Sequence, residues 1–209
     1  MNPRPKGLPE DLHDIVGQYD RIALVFQGGG ALGAYQAGVY EALAEAGCEP
    51  NWISGVSIGA INSAIIAGNH PENRVPRLKE FWDTISGRKV LPWTPEGDIF
   101  RAWRNQLSAG MTIMQGQPGF FRPRFPNPWM LPTGASGATS CGDAEPLRDT
   151  LLKLVDFDLI NSGQKRFSVG AVNVRTGNFV YFDNKVDTIG PEHVMASGAL
   201  PPAFPAVRI

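Results

Sequence analysis

"LVFQGGGALGAYQAG", Leu24 to Gly38, sets three consecutive glycines between a short apolar run and a segment of helical periodicity. The run before it, "RIALVF" from Arg21 to Phe26, is bounded by charge and by glycine and is expected to be a strand buried on both faces. After it, Leu32, Tyr35, Val39, Leu43 and Ala46 recur at three- and four-residue steps and Gly47 follows as a stop, which predicts a helix of about four turns. "NWISGV" predicts a second strand, and "SIGAINSAIIAG" a second helix ending at Gly68. In that helix Ile58, Ile61 and Ile65 mark one face, while Gly59, Ala60, Ser63 and Ala64 are small enough for another element to pack closely. Strand, helix, strand, helix is the order of a parallel sheet with right-handed crossovers, so the fold class is α/β.

The same reading continues down the chain. "VPRLKEFWDTI" predicts an amphipathic helix through Val75, Leu78, Trp82 and Ile85. "AEPLRDTLLKLVDF" predicts another through Leu147, Leu151 and Leu154, with Asp143 as N-cap and Pro146 in the first turn. "RFSVGAVNV" and "FVYFDN" read as strands joined by a tight turn at "RTG", and "PEHVMASGAL" as a short helix stopped by "PP". Residues 1–20 are Pro-rich and charged and read as a loose lead-in to one domain over 21–209. Within that domain, residues 86–142 form an irregular insertion rich in Pro, Gly, Trp and Phe, with one helix candidate from Asp98 to Leu107.

Composition bounds the function. Nineteen Lys and Arg against 20 Asp and Glu leave a net charge of -1, which lacks the basic excess of a nucleic-acid binder, so no nucleic-acid partner is expected. The two cysteines, Cys48 and Cys141, form neither a disulfide framework nor a metal-ligand spacing, and no metal or cofactor is called for. No signal-peptide core or spanning apolar segment is present in the sequence, so the expected location is cytoplasmic, with peripheral contact to a membrane.

A glycine loop between a strand and a helix serves two chemistries, a nucleotide phosphate or an acyl oxyanion. Gly28, Gly30 and Gly33 match G-x-G-x-x-G, but a dinucleotide site also needs an acid at the end of the second strand, about 20 residues on. Glu49, the nearest acid, precedes that strand. The strand ends instead in "GVSIG", where Gly55, Ser57 and Gly59 fit a nucleophile elbow: a serine on a sharp strand-to-helix turn whose small neighbours leave the hydroxyl accessible. Parallel neighbouring strands deliver their following loops to one edge of the sheet. Backbone N–H groups of Gly28, Gly29 and Gly30 would then face the charge that an acyl transfer develops beside Ser57, each such donor being worth roughly 3 kcal/mol.

With "GGGALG" followed by "GVSIG", and "ASGALPPAFPAV" near the end, the chain resembles the patatin-like phospholipases from Ile22 to Ile209, with a basic residue of many members replaced by Leu32. The resemblance implies a three-layer α/β sandwich with a mainly parallel central sheet, and hydrolysis of lipid acyl esters by a Ser–Asp dyad without histidine. The family's aspartate belongs to a DGG or DGA motif after the "PPAFPAV"-like segment. No such motif occurs up to Ile209, so the expectation is a truncated or cleaved chain whose Asp partner lies beyond residue 209. Without that base, turnover is expected to fall about 10⁴-fold or more. Two alternatives stand beside this: an inactive lipid-binding or scaffold protein, and an esterase with a triad of Ser57, Asp183 (or Asp187) and His193, in the chain order of α/β-hydrolases. His193 otherwise reads as a partly exposed helix residue, and His13 and His70 as surface.

Trp93, Phe100, Trp103, Phe120, Phe121, Phe125 and Trp129 crowd the irregular middle, interleaved with Arg101, Arg104, Arg122 and Arg124. Either they form a cover over an acyl pocket that also touches a lipid surface, or an additional packed subdomain with solvated arginines.

Overall fold

The computed structural model describes residues 16–86, 116–126, 128–132, 134–135 and 139–209. In chain order they form β1 (Ala23–Phe26), a 3₁₀ turn (Gly30–Leu32), α1 (Gly33–Glu45), β2 (Trp52–Val56), α2 (Ile58–Ala67) and α3 (Pro71–Ser86). A short strand β3 (Arg122–Pro123), a 3₁₀ turn (Pro128–Met130) and β4 (Gly142–Asp143) follow. The rest is α4 (Glu145–Leu154), α5 (Phe157–Asn161), β5 (Arg166–Val172), β6 (Phe179–Asp183) and α6 (Pro191–Gly198). The main sheet is four-stranded in the order β1-β2-β5-β6. Its first three strands are parallel, and β6 returns antiparallel on β5 across a turn in which Asn173 Oδ1 accepts the Arg175 and Thr176 N–H groups. The sheet is thus mixed but mainly parallel, flanked by helices, and the fold is α/β.

Register places Phe26 beside Gly55 and Val56 beside Gly170. Phe26, Ile53, Phe167 and Val169 point to one face, where they join one core with α2, Leu78 and Phe81 of α3, Leu147 and Leu151 of α4, and Val194 of α6. Every residue of α2 is buried, so this helix has no solvent face. The sequence reading of one apolar face on Ile58, Ile61 and Ile65 understates it, because α2 lies between the sheet and the other helices. The opposite sheet face carries Val25, Val172, Phe179 and Tyr181, all exposed among the described residues.

Other expectations are corrected in detail. β1 begins at Ala23 and is an edge strand with Val25 71% exposed, not a strand buried on both faces. In α1 the inward face is Gly33, Ala37, Tyr40 and Ala44, whereas Leu32 and Tyr35 are 73% and 79% exposed. Close approach to Ile58 and Trp82 at Gly33 sets that rotation: a Cβ there would lie 2.5 Å from Ile58 Cγ1. α3 starts at Pro71 and turns Arg74, Leu78, Phe81 and Ile85 inward, with Trp82 only partly covered. Asp143 is not the N-cap of α4. It lies in β4, where it binds the Arg122 guanidinium at 2.7 Å, and it reaches only the Glu145 N–H at 3.2 Å. The helix α5, capped by Asp156 accepting the Leu159 N–H, was not foreseen. The candidate helix from Asp98 to Leu107, and with it Trp93, Phe100, Trp103, Arg101 and Arg104, lies outside the described residues, as does His13.

The glycines of the elbow are packing sites. A Cβ on Gly55 would sit 2.3 Å from Gly59 O, and one on Gly59 would sit 2.4 Å from Phe26 O, both backbone atoms that a rotamer change cannot move aside. Gly38, in α1, has open space around its Cβ position. Gly59→Ala is therefore expected to destabilise the fold by about 1–3 kcal/mol or more, while Gly38→Ala should stabilise it by about 0.5–1 kcal/mol through helix propensity. Urea unfolding of both variants checks this; equal effects would mean that α2 does not approach the strand ends at backbone contact.

Candidate active site

The polypeptide leaves β2 at Val56, turns at Ser57 and enters α2 at Ile58. Ser57 has φ 56 and ψ −126, and among the described residues it is the one non-glycine with positive φ. Such a conformation costs a residue with a Cβ about 1–3 kcal/mol and persists where the surroundings hold it. Here the Ser57 carbonyl accepts the Ala60 N–H at 2.9 Å, which ties the strained residue into the first turn of a fully buried helix. The turn aims the side chain outward: Ser57 is half-buried, and its Oγ has no hydrogen-bond partner among the described residues.

The glycine loop converges on the same spot. A Cβ on Gly28 would lie 3.2 Å from Ser57 Cβ and 3.9 Å from Ser57 Oγ, so the loop passes over the serine at a distance that leaves little room for a side chain. Gly29 (φ 153) and Gly30 (φ 56) take backbone angles open to glycine. Among the described residues the N–H groups of Gly28 and Gly29 donate to no protein acceptor. Gly33, the last glycine of the motif, instead serves the contact of α1 with Ile58 and Trp82.

Both ends of that loop are held from α2. Asn62 Nδ2 donates to the Gly33 carbonyl at 2.9 Å and to Gln36 Oε1 at 3.0 Å; Gln36 Nε2 donates to the Gln27 carbonyl at 2.7 Å. Trp82 Nε1 in turn donates to Asn62 Oδ1 at 3.1 Å. Sequence reasoning passed over Asn62, although an amide inside the apolar run "SIGAINSAIIAG" was the available signal: a buried amide persists only with its hydrogen bonds made. It also passed over Ser197, whose Oγ accepts the Ser57 N–H at 2.8 Å and donates to the Gly170 carbonyl.

The triad of Ser57, Asp183 and His193 is not assembled. Asp183 pairs in register with Ser168, and its Oδ2 accepts from Ser168 Oγ and Arg166 Nε, both at 2.8 Å, on the sheet face that Trp52 also occupies. His193 is 7% exposed, not partly exposed as the sequence implied. It packs edge-on against Phe182, the neighbour of Asp183 that points to the other face, and its Nδ1 accepts the Gly190 N–H at 3.0 Å. Asp187 is engaged with the Asp183 N–H at 2.9 Å. His70 is exposed. Glu49, the acid that a dinucleotide reading would recruit, binds Arg74 at 2.6 Å and Lys165 at 3.0 Å. Burial works to raise its carboxyl, but the hydrogen bonds and charges of Lys165 and Arg74 outweigh this and hold it below the usual range.

The model of the patatin-like phospholipase family matches residues 24–209, nearly all of the sequence. The chain belongs to that family, a family of lipid acyl hydrolases. Among curated protein sequences none matches it. Among solved structures it is similar to VipD from Legionella pneumophila, at 16% identity and a TM-score of 0.46, with 89% of this chain covered. The chain spans 43% of the length of VipD.

Asp183 gives a test of the sheet-face network. Burial works to raise its carboxyl, but the hydrogen bonds from Ser168 and the Lys185 N–H, together with Arg166, outweigh it and leave the group below its ordinary value. A carboxylate with a lowered folded-state pKa adds stability above the unfolded pKa and loses it as pH falls through the folded one. Wild type should therefore lose unfolding free energy more steeply than Asp183→Asn as pH drops below about 4. Parallel curves from denaturant melts at each pH would show that the carboxylate is not specially held.

Proposed function

We propose that this chain carries the nucleophile and oxyanion loop of a serine acyl hydrolase acting on lipid esters. Ser57 Oγ attacks the ester carbonyl, forming the oxygen–carbon bond while its proton passes to a base. The carbonyl oxygen becomes an oxyanion held by N–H groups of the Gly28–Gly30 loop, and collapse of the intermediate expels the alcohol. Water then attacks the acyl-serine and releases the fatty acid. The observation that carries this reading is the position of Gly28 over a strained serine whose hydroxyl has no partner among the described residues, in a chain of this family. In this reading the base is a carboxylate that the described residues do not supply, as none of them binds Ser57 Oγ.

That last fact also favours a second reading: a lipid-binding or scaffold protein that retains the glycine loop and Ser57 without turnover. A fluorophosphonate probe separates the two. Labelling at Ser57, lost in Ser57→Ala and located by peptide mass, is expected of an activated serine; an unlabelled Ser57 in folded protein would leave the binding reading.

Peripheral contact with a membrane is part of the proposal. No helix among the described residues is long and apolar enough to cross a bilayer. Leu32 and Tyr35, beside the glycine loop, and Leu200, close after Ser197, offer exposed apolar side chains suited to the interfacial zone. Phe120 and Phe121 pack against Phe204, and Arg122 is occupied by Asp143, so these residues of the aromatic, Arg-rich stretch act within the fold. Phe125 by contrast is 97% exposed. The chain should float with neutral phosphatidylcholine vesicles, and replacing Leu32 and Tyr35 together by Asp should abolish flotation. Wild type that stays at the bottom of the gradient, with or without anionic lipid, would remove the membrane claim.

A further inference from the structure

We propose that Ser197 is a positioning residue for Ser57, locking the elbow through its backbone amide. The argument rests on the reading of Ser57 as the reacting hydroxyl, and it starts from the single proton that a serine hydroxyl carries. Ser197 Oγ donates that proton to the Gly170 carbonyl, which lies in β5 directly beside Val56. A lone pair of the same oxygen is left to accept the Ser57 N–H at 2.8 Å. The hydroxyl is therefore a directional bridge in which each partner fixes the other, not a freely turning group.

Three segments distant in sequence meet at this one oxygen: the elbow after β2, the body of β5, and the last turn of α6. Ser57 sits 140 residues from Ser197 along the chain. The turn that needs support is the one with positive φ, and the Ser57 N–H has no other acceptor among the described residues. Removing Ser197 Oγ leaves that half-buried N–H unpaired and frees ψ of Val56 and φ of Ser57 to relax toward ordinary values. Relaxation swings Cβ, and with it Oγ, away from its place beneath Gly28.

The bridge has a second effect. Because the Ser57 N–H is already committed to Ser197, it is not free to hold an oxyanion. The donors for that role fall to the glycine loop, whose amides at Gly28 and Gly29 are without protein acceptors among the described residues. Ser197 thus decides which backbone groups face the substrate as well as where the nucleophile stands.

The test compares the rate of fluorophosphonate labelling at Ser57 in four forms of the full chain: wild type, Ser197→Ala, Ser197→Thr and Ser197→Val. Thr and Val share a shape and differ in the hydroxyl, so the pair separates the bridge from the bulk of the side chain. Labelling of Ser197→Ala is expected to slow about 10- to 100-fold, the scale of a misplacement of about 1 Å. Ser197→Thr should recover most of the wild-type rate, and Ser197→Val should remain slow, with similar melting midpoints for Thr and Val. Equal labelling rates in Thr and Val overturn the proposal even if the Ala variant folds poorly. A wild type that is not labelled at Ser57 instead overturns the reading of Ser57 itself. In that case, amide hydrogen exchange at Ser57 still decides the bridge: it must be faster in Val than in Thr, and unchanged exchange sinks it.

Discussion

The structure depends on backbone-to-backbone contact where α2 meets the ends of β1 and β2. Gly59 lies against the Phe26 carbonyl and Gly55 against the Gly59 carbonyl, at distances that no side chain permits. That approach brings α2 into the centre of the core, where Ile58, Ile61, Ile65 and Ile66 are almost wholly removed from water. At about 1.5–3 kcal/mol for each fully buried isoleucine, this outweighs the cost of holding Ser57 at positive φ. The strain at the Ser57 turn is thus maintained by the hydrophobic burial of the helix that follows it.

Apolar packing places the elbow but does not orient it. Orientation comes from polar groups that reach across the fold: Asn62 and Gln36 hold the two ends of the glycine loop, and Ser197 holds the Ser57 amide. The Asn62 bond is buried and the Ser197 bond half-buried, and such a pair loses much when one partner goes. The loop and the serine therefore behave as one unit anchored on α2, with β5 and α6 as the outer brace. A second polar network, of Trp52, Ser168, Asp183 and Arg166, lies on the other face of the sheet. It ties β2, β5 and β6 together and has no part in the elbow.

The course of the chain was legible wherever a local signal had one physical meaning. A positive-φ turn demands small neighbours, so "GVSIG" between an apolar run and a helix could be located directly. The turn of β5 into β6 was legible for a similar reason, since Asn and Gly at its corners stabilise a tight reversal without help from elsewhere. Periodicity was a poorer guide in α1, where Leu32 and Tyr35 are exposed while Gly33 and Ala37 face inward. Large apolar residues do not face inward when the neighbouring helix comes too close for them, and the sequence of α1 alone carries no record of that distance. His193 illustrates the converse: a polar residue expected near the surface is buried because an edge-on ring, Phe182, covers it.

Residue order and residue type alone determined the alternation of strands and helices, the α/β class, the sharp turn at Ser57 and the glycine-rich loop, because each rests on backbone geometry within a few residues. Tertiary structure alone decided which face of each element turns inward, that β1 is an edge strand, that Asp183 and His193 lie on opposite faces of the sheet, and that Ser197 meets Ser57. These are outcomes of packing between segments up to 140 residues apart. Hydrophobic attraction is non-directional, so a sequence specifies that such segments will bury their apolar groups; which atoms then touch follows from how closely the whole set can pack.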